Sequence, residues 1–370
     1  MLKCCCRVEA RGAAIRRARR RLWVIWIKVD LLKKSWRGSI AVVTGAGSGI
    51  GRALSRAMTK RGATVVVTDV DETAAVKVAA ECRPPASART LDVRDADAVQ
   101  SLVEEIVRQH GQLHYLFNNA GIGIGGEVEE IQIPAWERII DVNLRGVVHG
   151  VMAAYLQTLK QGSGHIINTA SLAGLAPAPL LTPYAMTKHA VVGLSTSLRL
   201  EAASRGVRVS VLCPAAIETP LLDTVSLPGL PEPIWLPNVR RFLTRLSGPP
   251  YPVEKFAEEV LNSIERNRGV IVIPRCARLG LRIWRLFPAL VDKMTLQAVQ
   301  AERSSANRKV RCWGRQGRAP VAGARPRARY GFHPKHAWAF DRSRRKADIR
   351  TGLPDEISRR NHWACWTALK

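Results

Sequence analysis

The chain of 370 residues is 46% hydrophobic, which is enough material for one large domain or two average ones around a real core. Its formal net charge of +27 suggests a nucleic-acid or anionic-membrane partner, but residues 1–38 carry +10 of that charge and residues 306–370 carry +13. Residues 39–305 are nearly neutral, at +4, which argues against nucleic-acid binding as the function of this part of the chain.

The eight cysteines are isolated or terminal, and none has the spacing of a metal-ligand or redox pair. This spacing predicts no metal site. Isolated thiols also argue against a disulfide framework, so we expect a reducing, cytoplasmic setting. No run approaches the roughly 18 apolar residues that a membrane span needs. The six apolar residues at 22–27 are too few for a signal peptide.

From residue 39 onward, short apolar runs alternate with longer amphipathic stretches. Their strict alternation predicts parallel strands, right-handed crossovers and helices on both faces of the sheet. The predicted fold is α/β, a single Rossmann-like domain with a doubly wound sheet of seven parallel strands and irregular basic terminal extensions. The predicted strands are 40–44, 64–68, 88–91, 113–117, 165–169, 208–212 and 270–273. The predicted helices are 52–61, 72–81, 96–110, 134–160, 184–204 and 253–267.

The alternation places the catalytic domain at 39–275, after a basic N-terminal extension at 1–38. Within it, the proline-rich and apolar residues 220–252 predict a lid or binding loop, with a surface insertion as the alternative. Residues 276–305 form a basic amphipathic segment that either lies on an anionic membrane or packs on the core or on another subunit. Residues 306–370 lack apolar periodicity, which fits a disordered basic tail or translation beyond the true gene boundaries.

A glycine-rich turn, T-G-A-G-S-G-I-G at residues 44–51, follows the first strand and leads into the first helix. Glycines there allow the backbone N–H groups and the helix N-terminus to face a pyrophosphate. Asp69 ends the second strand, 20 residues after Gly49, where a carboxylate accepts both ribose hydroxyls of NAD and repels the 2′-phosphate of NADP. The sequence therefore predicts NAD as the cofactor rather than NADP. The turn residues assigned to it are Gly45, Gly47, Ser48, Gly49, Ile50 and Gly51.

The next two strand ends add candidate cofactor contacts. Asp92, followed by Val93, ends the third strand and either hydrogen-bonds the adenine ring or caps the next helix. The sequence N-N-A-G ends the fourth strand, and its small and amide residues permit close cofactor contact. The candidates there are Asn119, Ala120 and Gly121.

Tyr184 and Lys188 are four residues apart, which places a phenol and an ammonium on one helix face, about 6 Å apart at Cβ. A neighbouring cation stabilises a phenolate, so the lysine is expected to lower the pKa of the tyrosine. Ser171, 13 residues upstream at the end of a strand, can bring its hydroxyl to the same substrate oxygen.

Taken in chain order, these residues resemble the short-chain dehydrogenase/reductase family, in its compact branch of roughly 250 residues, over residues 39–274. The resemblance implies that Tyr184 is the general acid/base and that Lys188 lowers its pKa while binding the nicotinamide ribose. It implies that Ser171 polarises the substrate oxygen, and that Asn143, in the long helix, holds a water in a proton relay to Lys188. Ser48 also favours NAD, because NADP-preferring relatives often carry a basic residue at that position.

One motif departs from the family pattern, in which proline is followed by glycine after the sixth strand. Here the sequence is P-A-A-I-E-T, with Ala215 in the glycine position. Alanine requires an unstrained negative φ, so a special turn there is in doubt. Thr219 and the backbone of Ile217 are still expected to reach the nicotinamide carboxamide beside Pro214.

The predicted lid is apolar and aromatic with few charges, which favours a lipophilic secondary alcohol or ketone, such as a steroid-, retinoid- or fatty-acyl-like compound. The alternatives are a catalytically silent binding protein on the same fold, and nucleic-acid or membrane binding through the basic termini. A silent protein usually has a damaged site, whereas all four catalytic positions are filled here. By analogy with relatives, helices 134–160 and 184–204 are expected to form a homodimer or homotetramer.

Overall fold

The computed structural model describes residues 36–84, 86–226, 229–231, 233 and 235–315, with only the backbone given for 306–315. Most of the two predicted basic extensions, residues 1–35 and 316–370, lies outside the described residues.

Seven parallel strands form one sheet in the order β3-β2-β1-β4-β5-β6-β7, which confirms the predicted fold. β1 pairs with β2 on one side and with β4 on the other, so the winding reverses direction between β1 and β4. In such sheets the ligand crevice lies at the carboxyl ends of the strands flanking this reversal. The strands are β1 Ile40–Val43, β2 Thr64–Asp69, β3 Ser87–Thr90, β4 Tyr115–Asn118, β5 Gly164–Thr169, β6 Val207–Pro214 and β7 Val270–Ile273.

Helices cover both faces of the sheet, as the alternation predicts. One core lies between the sheet and a pair of helices that contribute Leu54 and Phe256. The other lies on the opposite face, where three helices contribute Ile106, Val151 and Val191. The α-helices are α1 Gly49–Lys60, α2 Glu72–Glu81, α3 Ala96–His110, α4 Ile133–Ile140, α5 Gly146–Gln161, α6 Thr182–Ala202, α7 Val239–Ser247, α8 Val253–Glu265, α9 Arg275–Leu286 and α10 Pro288–Arg315.

The predicted single helix at 134–160 is interrupted by a π turn, Asp141–Arg145, which joins α4 to α5. The N–H of Gly146 bonds to the carbonyl of Asp141, five residues earlier, and Asn143 lies within the widened turn. Such turns commonly accompany functional sites. By length and composition, Ile133–Gln161 could cross a membrane, but this helical stretch packs on the sheet and supplies core residues.

In its described residues, the predicted lid at 220–252 contains a short 3₁₀ helix, Pro220–Leu222, and the α-helix α7, neither of which was predicted from the sequence. The predicted amphipathic segment at 276–305 folds into α9 and most of the described part of α10. α10 packs on the lid, because Val299 shares a buried cluster with Phe242 and Leu180. The carboxylate of Glu302 is buried against the guanidinium of Arg241. α9, in contrast, contains no buried residue.

Candidate active site

The glycine-rich turn joins β1 to α1 and leaves the N-terminus of α1 open. Ser48, the N-cap residue, makes no side-chain capping bond, and the first turn carries no acidic residue. Gly45 has φ +59°, and a Cβ there would lie 2.5 Å from Cα of Ala120, so only glycine fits. Uncapped N–H groups at a positive helix end form an anion site, which fits a pyrophosphate.

The carboxylate of Asp69 lies directly against this turn. It accepts hydrogen bonds from the N–H of Gly47 at 2.8 Å and from the N–H of Asp71 at 3.1 Å. A Cβ on Gly47 would come within 2.9 Å of the Asp69 carboxylate, so the missing side chain makes this contact available. A carboxylate at the end of β2 therefore faces the place where the sequence analysis puts the ribose.

Asp92 does not cap a helix, so that alternative is wrong. Asp95 is the N-cap of α3, and its side chain accepts from the N–H of Ala98 at 3.0 Å. Asp92 instead accepts from the guanidinium and the backbone N–H of Arg94, and the side-chain hydrogen bond holds its pKa below the ordinary value. Asp92, Val93 and Arg94 all line the crevice, and the adenine contact of Asp92 stays a prediction.

Thr44, at the end of β1, ties the glycine-rich turn to the end of β4. Its Oγ1 accepts from the N–H of Asn119 at 2.9 Å and from the N–H of Ala120 at 3.0 Å. In turn, Nδ2 of Asn119 donates a hydrogen bond to the carbonyl of Gly45 at 3.1 Å. This role of Thr44 was not predicted, although a hydroxyl between an apolar strand and a glycine-rich turn is visible in the sequence.

Tyr184 and Lys188 lie on one face of α6, as their spacing predicts, with Nζ 5.5 Å from the centroid of the phenol ring. Lys188 is 3% exposed and donates from Nζ to the carbonyl of Thr169 at 2.9 Å. Burial lowers the pKa of Lys188 to about 8. The lysine is thus a cation held in place without a carboxylate partner among the described residues.

The pKa of Tyr184 differs in direction from the sequence-based expectation. Burial raises it, and a side-chain hydrogen bond with Ser171 lowers it by less. The protein side chains alone therefore do not tune the phenol downward. Ser171 caps the short 3₁₀ helix Leu172–Gly174 by accepting from the N–H of Ala173 at 3.2 Å, which fixes its hydroxyl beside the phenol.

Asn143 is fully buried behind the site. Its Oδ1 accepts from the N–H of Ile122 at 2.8 Å, and its Nδ2 donates to the carbonyl of Ile122 at 3.0 Å. A Cβ on Gly121 would lie 3.3 Å from both Asn143 Oδ1 and Lys188 Nζ. The amide thus holds the 121–122 backbone next to Lys188. Its predicted part in a water relay stays a prediction.

The Pro-Ala departure after β6 causes no backbone strain. Among the described non-glycine residues, only Leu180 and Asn267 have positive φ, so Ala215 keeps an ordinary backbone conformation. Its N–H donates to the carbonyl of Ile273 at 3.0 Å, and Thr219 lies close to Gly49 at the N-terminus of α1. The backbone at Ala215 therefore makes an ordinary turn that alanine accommodates, without the positive φ that glycine would allow.

A single cavity of about 1080 Å³ joins these groups. Gly47, Gly51 and Asn143 are not among its lining residues; they pack behind it. The other predicted site residues do line it, and these are Gly45, Ser48, Gly49, Ile50, Asp69, Asp92, Val93, Asn119, Ala120, Gly121, Ser171, Tyr184, Lys188, Pro214, Ile217 and Thr219.

Comparison with known proteins agrees with this arrangement. The family model of the short chain dehydrogenases matches residues 39–227. The chain belongs to the short-chain dehydrogenase family. A cyclohexanol dehydrogenase of Acinetobacter sp. is 37% identical over 196 residues, which cover 52% of this chain and 78% of that protein.

Two solved structures resemble the fold closely. A short-chain dehydrogenase/reductase of Burkholderia phymatum in complex with NAD has a TM-score of 0.62 and 31% identity, covering 69% of this chain and 96% of that one. A 3-ketoacyl-(acyl-carrier-protein) reductase of Brucella melitensis complexed with NADH has a TM-score of 0.57 and 30% identity, covering 65% and 98%. The protein is therefore an oxidoreductase that acts on CH–OH groups.

The short-chain dehydrogenase site also contains residues that the sequence analysis missed. Trp284 on α9 lines the cavity, and its indole N–H is buried with no hydrogen-bond partner among the described residues. Cys213 on β6 is fully buried near Lys188, and burial raises the pKa of its thiol to about 12. Neither residue belongs to a recognisable motif. The packing of α9 brings Trp284 to the cavity, whereas Cys213 lies within the sheet behind the lining residues.

Proposed function

We propose that this short-chain dehydrogenase interconverts a lipophilic secondary alcohol and its ketone, with NAD(H) as the hydride carrier. The observation that carries the proposal is the position of Ser171 and Tyr184 in a cavity whose lid side is apolar. On that side the charged lining groups among the described residues are Lys188, which belongs to the catalytic set, and Asp292. The apolar lining includes Leu181, Leu222, Val225, Phe242, Leu243, Leu281 and Trp284. A similar protein is named for an alicyclic secondary alcohol, cyclohexanol, which supports this substrate class.

The choice of NAD follows from Asp69. Its carboxylate is held toward the glycine-rich turn by the N–H of Gly47, where it can accept ribose hydroxyls and repel a 2′-phosphate. The two similar structures are complexes with NAD and NADH, which supports the same choice. A nicotinamide dinucleotide bound here supplies the carbon that accepts or donates hydride. The residues that would hold it are those of the glycine-rich turn, Asp69, and the ends of β4 and β6.

The catalytic residues would act on the substrate oxygen. Ser171 donates a hydrogen bond to that oxygen and orients it, while Tyr184 transfers the proton. The buried ammonium of Lys188, fixed by the carbonyl of Thr169, stabilises the phenolate electrostatically when the proton leaves. The pKa of Tyr184 is raised by burial, so the proton transfer depends on that cation staying charged.

A substrate series tests the lipophilic assignment. We would follow NADH absorbance with cyclohexanol and with 2-alkanols of increasing chain length. Each buried methylene contributes about 0.8 kcal/mol, so kcat/KM is expected to rise about fourfold per methylene until the cavity is filled. A flat series, or a preference for sugars or hydroxy acids, would contradict the substrate class. Comparable kcat/KM with NAD and NADP would contradict the cofactor assignment.

Tyr184→Phe tests the mechanism. We expect kcat to fall by at least about a hundredfold, the usual contribution of a positioned acid or base, while the Kd for NAD is unchanged. Tyr155→Phe, at a half-buried tyrosine of α5 outside the cavity, is the matched control and is expected to retain activity. Turnover surviving in Tyr184→Phe would refute the assigned role.

The same proposal includes a homodimer or homotetramer formed through the long helices. Val148, Met152 and Leu156, spaced four residues apart, form an exposed apolar stripe on α5. Light scattering of Met152→Glu against the wild type tests this: the wild type is expected to be oligomeric and the variant to dissociate.

A further inference from the structure

Helix α9 presents three distinct faces. Ala277, Leu281 and Trp284 turn toward the protein, and all three line the catalytic cavity. Leu279, Ile283 and Leu286, spaced three and four residues apart, form a second face that is exposed to solvent. The third face consists of the arginines of α9. A helix with two apolar faces has one more than packing on a single protein core requires.

The exposed apolar face continues beyond α9. Phe287, directly after α9, and Leu290, in the first turn of α10, follow this face in sequence and are also exposed. We call the five residues Leu279, Ile283, Leu286, Phe287 and Leu290 the α9 stripe. Such a contiguous exposed apolar surface usually marks an interaction site.

Basic charge predominates beside the α9 stripe, and the one acidic residue there is Asp292, two residues after Leu290. Arg275, Arg282 and Arg285 are exposed, and Arg278 is half-buried with its Nε donating to the carbonyl of Val272 at 2.8 Å. Residues 275–291 contain four arginines and no acidic residue. A partner for this surface must therefore combine apolar groups with negative charge.

The mouth of the catalytic cavity adjoins this surface and is largely apolar, with Asp292 as its exposed charged residue. Leu221, Leu246, Ile283 and Met294 line the cavity, yet they are 37%, 38%, 40% and 56% exposed. Ile283 belongs both to this rim and to the α9 stripe. The route into the cavity thus begins at the exposed apolar surface.

We propose that the α9 stripe and its arginines dock the protein on an anionic lipid bilayer, and that substrate enters the cavity from that bilayer. The inference rests on the lipophilic substrate class proposed above. Insertion of the stripe would remove its apolar area from water, and the arginines would meet lipid phosphates, each contributing about tenfold or less in affinity.

A second copy of the chain fits this surface less well. An isologous interface places the same patch on both subunits, so the arginines of one α9 would face a patch of the same charge. Between residues 275 and 293 the one carboxylate is Asp292, against four arginines and Lys293. An anionic bilayer supplies the opposite charge, and it also supplies the apolar layer that the stripe requires.

Vesicle binding by the full chain tests the proposal. The assay is sedimentation with phosphatidylcholine vesicles that contain roughly 30–40% phosphatidylglycerol, compared with vesicles of phosphatidylcholine alone. We expect Leu279→Gln/Leu286→Gln to weaken binding to the anionic vesicles at least about tenfold. The matched control is Val76→Gln/Ile133→Gln, two apolar residues of similar exposure (53% and 67%, against 59% and 72%), and it is expected to bind like the wild type.

The charge is tested separately. Arg282→Gln/Arg285→Gln is expected to weaken binding to the anionic vesicles about tenfold to thirtyfold. The control is Arg205→Gln/Arg266→Gln, which makes the same change in net charge at exposed positions elsewhere. It is expected to change binding less than about threefold. The basic segments at 1–35 and 316–370 are present in every variant, so their contribution cancels in the comparison.

Each outcome decides the proposal. Equal binding by the stripe variant and its control would overturn it, as would a wild-type oligomer that the stripe variant dissociates without any binding to vesicles. Stripe-dependent binding together with a raised KM for vesicle-borne alcohol, at unchanged kcat/KM for cyclohexanol in solution, would support it. If no lipophilic alcohol is turned over although binding depends on the stripe, the substrate assignment fails while the docking surface stands.

Discussion

Replacing the buried Lys188 with methionine is expected to abolish turnover and yet change stability in a pH-dependent way. The pKa of Lys188 falls from its ordinary 10.5 to about 8 because burial disfavours the charged form. That difference corresponds to about 3 kcal/mol between the two protonation states. Below pH 8 the folded wild type carries the full cost of the buried ammonium, and the methionine variant does not.

The sign follows from proton binding. Between pH 8 and 10.5 the unfolded lysine still holds its proton while the folded one has released it, so the stability of the wild type rises with pH in this window. Methionine has no proton to release. The free energy of unfolding of Lys188→Met minus that of the wild type is therefore expected to fall by about 3 kcal/mol from pH 7.5 to 10.5.

Urea unfolding of both proteins without added cofactor, at several pH values across this window, measures the difference. The hydrogen bond from Lys188 to the carbonyl of Thr169, lost in the variant, offsets part of the gain at pH 7.5 but does not change the slope. Lys77→Met, at an exposed lysine of α2, is the control variant measured in parallel. A flat difference for Lys188→Met, or one rising with pH, would refute the reasoning.

Three further predictions concern single contacts. Gly45→Ala is expected to weaken NAD binding at least about tenfold, because its Cβ would lie 2.5 Å from Cα of Ala120. Gly38→Ala is the control: Gly38 has φ +72° but open space around it, so this variant isolates the cost of backbone strain. Calorimetric titration with NAD compares the two variants. Asp69→Ala is expected to raise the KM for NAD about tenfold and to lower the NAD/NADP ratio of kcat/KM toward one; an unchanged ratio would contradict its role. Trp284→Phe is expected to leave the free energy of unfolding unchanged or raise it by about 1 kcal/mol, because the indole N–H has no partner among the described residues. The variant is also expected to raise the KM of substrates that carry a second polar group, which could accept a hydrogen bond from the indole N–H. An equal rise in KM for cyclohexanol would argue against this hydrogen bond to the substrate.

The parts of the fold that local patterns encode were predictable. The seven apolar runs predicted the seven strands to within about two residues, because strands buried on both faces read as continuous β-branched segments. The glycine-rich turn, Asp69 and the Tyr184–Lys188 pair lie around one cavity because each follows the carboxyl end of a parallel strand or opens the next helix. Local sequence therefore determined which groups meet.

The parts that depend on long-range packing were not predictable. Asn143 was identified only through the family resemblance, and the π turn that contains it was not predicted. Gly146, directly after this turn, approaches Val93 in the loop that follows β3. The direction of the shift in the pKa of Tyr184 depends on how deeply the ring is buried, which spacing does not encode. The ion pair of Glu302 and Arg241 joins residues 61 apart, and neither belongs to a motif.

That ion pair explains how a helix far along the chain can control the substrate cavity. The side chain of Glu302 is 1% exposed; it accepts from the N–H of Asn238 at 2.9 Å and from Nε of Arg241 at 3.0 Å. Burial raises its pKa, but the hydrogen bonds from Arg241 and Asn238 outweigh burial and lower the pKa overall. Its stabilisation is therefore present above the ordinary pKa of glutamate and is lost as the pH falls through the lower folded value.

Glu302→Gln removes the charge while keeping the shape, so Arg241 and the start of α7 lose their anchor. Because Arg241 is partly exposed, we expect a cost of about 1–2 kcal/mol rather than the full value for a buried pair. Hydrogen exchange of α7 is then expected to quicken about fivefold to thirtyfold, with the KM for substrate raised, while the strands of the sheet and the Kd for NAD are unaffected. Glu201→Gln, at an exposed position of α6, is the control. Equal acceleration in β1 and β5 would show that Glu302 supports the whole domain rather than the lid, because the contact that Glu302 makes is with α7, which forms the lid side of the cavity.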